Sequence, residues 1–159
     1  MIFSVYSVAP VVSCLSNFRR RTLSGFPPIV VSTLDMERID ALLDQYPDPG
    51  PAEVEALRAE LDRADVREPR QMPDNVVTMH SAVHFRMLDN GKEFERSLVY
   101  PREIDGSEGK LSIFTPVGSA LLGLAVGAHI DWPAPGGKMT RVEIVEILYQ
   151  PERAGDFTR

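Results

Sequence analysis

Apolar positions along this chain follow two rhythms. In the first, Met36, Ile39, Leu43 and Tyr46 stand three, four and three apart, with Leu42 widening the stripe, and Val54, Leu57, Leu61 and Ala64 repeat the spacing. Side chains so spaced share one helical face, which predicts two amphipathic helices. Pro27 and Pro28 and the β-branched run Ile29, Val30, Val31 lead to Ser32 and Thr33, both good N-caps. Ser32 with Asp35 approximates a capping box, and Asp35 and Glu37 put negative charge where the helix dipole favours it. Three prolines and a glycine between Pro47 and Pro51 interrupt helical hydrogen bonding and make a turn. Two stripes joined by a tight turn bury against each other. A short antiparallel coiled-coil helical hairpin is therefore predicted over 28–70, with arms of roughly 14 residues reaching about 20 Å.

Beyond Pro69 and Pro73 the rhythm changes to the period of two that marks strands. Val83, Phe85 and Met87 alternate with His84, Arg86 and Leu88, and Asp89-Asn90-Gly91-Lys92 has the chemistry of a hairpin turn. Phe94 to Tyr100 forms the partner strand, Asp105-Gly106-Ser107 makes another turn, and Leu111, Ile113 and Phe114 begin a third strand. Val117 to Leu122, just beyond Pro116, reads as a short helix. His129 to Trp132 and Arg141 to Tyr149 flank Pro133 to Lys138, where Gly136 and Gly137 suit a hairpin tip. The expected class is α+β: a helical hairpin followed by a domain of about five strands and one short helix over 71–159.

Composition narrows the function. At 159 residues and 43% apolar content there is room for one full domain plus an appendage. A formal charge of -6 opposes non-specific adhesion to phosphate backbones, so direct nucleic-acid binding is not expected. The acidity sits in the hairpin, where Ser32 to Arg70 carries eleven acids against five bases. With Cys14 alone there is no internal disulfide and no thiolate metal site, which fits a reducing, cytoplasmic setting. The first 26 residues contain no acid and carry Arg19, Arg20 and Arg21 after the apolar stretch Ile2 to Leu15. That order is the reverse of a secretory signal, and the stretch is too short and too interrupted by serine and proline for a membrane span. Residues 1–27 read as a disordered tail or a start assigned too far upstream, with a targeting segment the less favoured reading.

No constellation points to catalysis. His80 and His84 are four apart, but in strand-forming sequence and without cysteine they do not make a zinc site, and His129 has no marked nucleophile to serve as base. Gly136-Gly137-Lys138 lacks the spacing of a phosphate loop. Asp44 and Asp48 flank the hairpin tip and could in principle hold a divalent cation, yet acids at an exposed turn are ordinarily just solvated. The expectation is no cofactor and no metal.

The run from Pro116 to Gly127, Pro-Val-Gly-Ser-Ala-Leu-Leu-Gly-Leu-Ala-Val-Gly, resembles the C-terminal domain of the Gre transcript-cleavage factors. With Leu34-Asp35, Glu37 to Asp40, Glu60 to Ala64, Met72-Pro73, Val76 to Met79, Leu98 to Pro101 and Tyr149 to Glu152, the chain from about residue 28 is similar to the regulator of nucleoside diphosphate kinase family, a Gre-like group with a shorter hairpin. The resemblance implies an FKBP-like domain that docks on RNA polymerase at the rim of its secondary channel. The docking turn maps to Thr115, Pro116 and Ser119, with Thr115 where Gre factors commonly have serine. The short hairpin, whose tip Asp44 to Pro51 lacks the paired acidic motif, implies competition with Gre-type factors without stimulated cleavage. Two alternatives stay open: direct modulation of nucleoside diphosphate kinase, and an FKBP-like prolyl isomerase lined by Trp132, Tyr100 and Phe114.

Overall fold

The computed structural model describes residues 27–133 and 138–159. The expectations for the N-terminal tail up to residue 26, and for the tip glycines Gly136 and Gly137, lie outside the described residues.

The hairpin rises from a small two-stranded sheet. β1 (Val30–Ser32) runs directly into α1 (Thr33–Leu43), and α2 (Ala52–Asp62) returns into β2 (Asp65–Arg67), which pairs parallel to β1. The Ser32 side chain accepts the Asp35 N–H at 3.0 Å, so the N-cap stands where the sequence places it. Each helix has eleven residues, about 16 Å at 1.5 Å per residue, shorter than the expected arms. At the tip, Pro47 disfavours helical backbone at Tyr46 and the following prolines keep the chain in a turn until Ala52. At the base, Asp65 N–H bonds the Ile29 carbonyl at 2.9 Å and draws the chain out of α2 into β2. The helices run in opposite directions, with Ile39 and Leu43 of α1 and Val54, Leu57 and Leu61 of α2 buried.

The larger sheet has the order β5-β4-β3-β7-β6, built from β3 (Ala82–Met87), β4 (Glu93–Val99), β5 (Lys110–Ser112), β6 (His129–Pro133) and β7 (Met139–Tyr149). All pairings are antiparallel except β4 with β5, which the turn-rich segment 100–109 joins as a parallel crossover. Val83 and Phe85 face the core while His84 and Arg86 face outward, as the alternation predicts. β7 breaks its own alternation. Glu146 opposes His84 and Ile144 opposes Phe85, so Val145 is an extra residue that lets Val142, Ile144 and Ile147 all face inward. A short helix, α3 (Pro116–Leu121), packs against α2 and β6.

Hairpin and sheet share one hydrophobic core, in which Ile39, Leu43, Leu57 and Leu61 join Leu98, Ile113, Leu121, Leu122 and Ile144. Gly123 is where the two halves meet: its carbonyl accepts Val30 N–H at 3.0 Å and its N–H bonds the Val77 carbonyl at 2.8 Å. With φ at 76° and an added Cβ only 2.7 Å from Ile29 Cβ, that position admits glycine alone. Among the described residues no helix is long and apolar enough to cross a membrane.

Candidate functional site

The turn between β5 and α3 is locked from several sides. Thr115 caps α3, with its hydroxyl accepting Gly118 N–H at 3.0 Å while donating to the Ser112 carbonyl at 2.7 Å. Its own N–H bonds the same carbonyl at 3.0 Å. Ser119, only 3% exposed, donates its hydroxyl to the Pro116 carbonyl at 3.1 Å. A Cβ on Gly118 would lie 2.1 Å from the Ser112 carbonyl oxygen, so the backbone of the turn closes on itself. Of the three sequence-identified positions, Pro116 is exposed, Thr115 is half-buried, and Ser119 lies inside as a brace.

The hairpin tip lies beside this turn. The Tyr46 ring meets Phe114 edge-on, with centroids 5.4 Å apart. Asp44 and Asp48 are both exposed. Asp44 caps α1 through its N–H to the Asp40 carbonyl, and it keeps company with Asp40 and Asp62 across the hairpin. Burial, followed by repulsion from Asp44 and Asp62, raises the Asp40 carboxyl above its ordinary value. Arg58 holds the tip closed: its guanidinium donates to the Leu43 carbonyl at 3.0 Å and to Glu55 at 2.6 Å. Among the described residues no group of three or more His, Cys, Asp or Glu is placed to hold a metal ion.

Two of the three residues considered for an isomerase lining are otherwise engaged. Tyr100 is 6% exposed, with burial first and then the Asp35 charge pushing its phenol pKa up, and Phe114 is covered by Tyr46. The side chain of Trp132 lies outside the described residues. His80, which adopts a left-handed φ of 62°, sets its Nε2 3.0 Å from both Glu103 oxygens. Burial alone would raise Glu103, but the Tyr100 N–H and His80 outweigh it and hold the carboxyl below its ordinary value.

Sequence reasoning missed the polar junction at Asp35. This carboxylate is 2% exposed and accepts the Met79 N–H at 3.2 Å, tying the first turn of α1 to the segment before β3. Burial pushes its pKa up to about 6, the Met79 N–H opposes that, and the nearby Glu152 charge adds to it. Glu152 is itself held by the Thr78 hydroxyl at 2.7 Å. Asp35 was legible as a capping acid, but apart from Ser32 its partners come from 44 residues or more downstream.

Residues 72–149 match the family described as "Transcription elongation factor, GreA/GreB, C-term", and residues 27–66 match "Rnk N-terminus". The regulator of nucleoside diphosphate kinase of Escherichia coli (strain K12) is 50% identical over 131 residues, covering 82% of this chain and 96% of that protein. Transcription elongation factor GreA of Thermodesulfovibrio yellowstonii is 37% identical over 97 residues, 61% of each chain. Among solved structures, the prokaryotic transcription elongation factor GreA/GreB from Nitrosomonas europaea is 49% identical, with a TM-score of 0.61, covering 77% of this chain and 99% of that one. A mixed α+β fold of GreA/GreB type, together with half-identity across nearly the whole of the Escherichia coli protein, means that this chain belongs to the regulator of nucleoside diphosphate kinase family.

Proposed function

We propose that this protein is a non-enzymatic regulator that binds RNA polymerase, docking at the rim of the secondary channel through the turn at Pro116 and competing there with Gre-type factors. On this reading residues 28–70 are a short coiled-coil hairpin, residues 71–159 an FKBP-like docking domain, and the protein works in the cytoplasm without cofactor or metal. The observation that carries it is the exposed Pro116 on a turn braced by Thr115, Gly118 and Ser119. A preorganised contact loses little conformational entropy on binding. The match of residues 72–149 to the GreA/GreB C-terminal family supports the choice of partner.

Occupancy without stimulated cleavage follows from the hairpin. Its arms span about 16 Å, and Asp44 and Asp48 stand four apart around a proline-rich turn rather than as an adjacent pair. The Tyr46–Phe114 contact also holds the tip beside the docking turn instead of extending it away from the domain.

Competition with a Gre factor for core RNA polymerase tests the reading. Wild type should displace the Gre factor at micromolar concentration and moderate salt, and Pro116→Asp, folded by circular dichroism, should not. Absence of any association of the wild type with polymerase ends the proposal. The printed name of the Escherichia coli relative favours a second reading, direct modulation of nucleoside diphosphate kinase. Pull-downs against the polymerase and the kinase separately distinguish the two.

A further inference from the structure

α1 has two working faces. One buries Ile39 and Leu43. The neighbouring one carries Arg38, Ala41 and Leu42, at i, i+3 and i+4, and with Gln45 in the turn just beyond the helix forms one wall of a solvent-open groove of about 410 Å³. Tyr100, Pro101 and Arg102 form the other wall. Leu42, Pro101 and the Tyr100 ring give the groove an apolar floor, and the only charged side chains lining it are the two arginines. In a chain of net charge -6, whose hairpin carries most of the acid, this is a local inversion of sign.

The arginines are already positioned. Arg38 donates to the Thr158 carbonyl at 2.8 Å, which fixes its direction, and the Arg102 guanidinium lies over the Tyr100 ring at 6.0 Å. Among the described residues Arg102 is exposed and makes no salt bridge. A guanidinium beside an aromatic ring and open to solvent is suited to pair with a carboxylate through its forked N–H groups.

We propose that this groove is a docking site for a partner protein's acidic, apolar-bearing polypeptide segment, which lays its apolar side chains on Leu42 and Pro101 and pairs its carboxylates with Arg38 and Arg102. The shape suits a chain: the stripe from Arg38 to Leu42 runs about 6 Å along α1, Gln45 in the following turn extends it, and the groove is open to solvent. The chemistry argues against a nucleotide or nucleic acid. The lining contains no glycine and no α-helix N-terminus to cradle phosphate, and the net negative charge repels polyanions at a distance. The inference goes beyond the polymerase reading, because it concerns the chemistry of the segment and holds for whichever protein carries it. Gln45 at the end of the groove is followed in the chain by Tyr46, whose ring meets Phe114 two residues before Pro116.

Nuclear magnetic resonance of the full-length protein tests this with blocked peptides. The probe is Glu-Leu-Phe-Glu-Asp, with Lys-Leu-Phe-Lys-Lys and ADP as controls. The acidic peptide should shift the amides of Ala41, Leu42, Gln45 and Arg102, and added salt should weaken it. Arg102→Glu should lower its affinity about tenfold or more with the rest of the spectrum unchanged, while Arg102→Lys should keep part of it. The proposal is overturned if those amides do not move, if the basic peptide or ADP moves them equally, or if Arg102→Glu binds as wild type does.

Discussion

The two ends of the helical hairpin are built on opposite principles. Its base is buried on the side of β1: Ile29 and Val31 are buried while β1 pairs with the exposed β2, Glu60 and Arg63 form an ion pair with Glu60 6% exposed, and Asp35 is sealed against Met79. Its tip is wet, with Asp44, Pro47, Asp48 and Pro49 all exposed and held by Arg58, Tyr46 and the Glu55 carboxylate that accepts the Gly50 N–H. A base that shares the sheet's core sets the direction of the hairpin, whereas a tip tied by a few side chains can change sequence without disturbing the fold. The contrast separates residues that orient the hairpin from those free to meet a partner.

The sharpest way to break the base is Gly123→Ala. The methyl would meet Ile29 Cβ and the Val30 carbonyl within 3 Å at a positive φ, so β1 must move away from the sheet domain. We expect a loss of at least about 3 kcal/mol in urea unfolding, from combined backbone strain and overpacking. Unchanged stability would mean that the hairpin base is not seated as described.

Asp35→Asn acts on the same junction with the opposite sign. Folding raises the Asp35 pKa from 3.8 to about 6, so the native state binds this proton more tightly than the unfolded chain does. The group's contribution to stability is therefore fully present below about pH 4, is lost as the pH rises towards 6, and stays lost at neutral pH. An asparagine keeps an oxygen for the Met79 N–H and turns its amide towards Glu152. At pH 7 the variant should gain about 1 to 3 kcal/mol, and the difference between the two stability curves should vanish near pH 4. A difference that is flat from pH 4 to 7 would show that Asp35 does not ionise in a buried setting.

These residues also mark where the sequence was readable. The cap at Ser32, both apolar stripes, the alternation of β3, the turn at Asp89 to Lys92 and the short helix after Pro116 are local patterns, and each formed near its expected place. β1 and β2 escaped notice because they are three residues each, and Asp65 to Arg67 is exposed on both faces, leaving no periodicity to read. The parallel β4–β5 pairing, the bulge at Val145 and the groove at Arg102 depend on contacts between distant segments. At the turn proposed for docking, chemistry was legible but exposure was not: Thr115 and Ser119 have the anticipated hydroxyls, yet both spend them on backbone carbonyls.

The mildest test falls on the tip. Arg58→Met keeps the aliphatic stem against the hairpin but removes the fork that holds the Leu43 and Tyr46 carbonyls and Glu55. These bonds are partly exposed, so water replaces most of what is lost and the expected cost is about 1 kcal/mol. The effect should be local. Hydrogen exchange should speed up at Gln45 and Tyr46, and the Tyr46–Phe114 ring contact should weaken, while amides at Ile39 and Leu57 keep their protection. If those buried amides open together with the tip, the hairpin unfolds as a single unit, and the division between an orienting base and a replaceable tip does not hold.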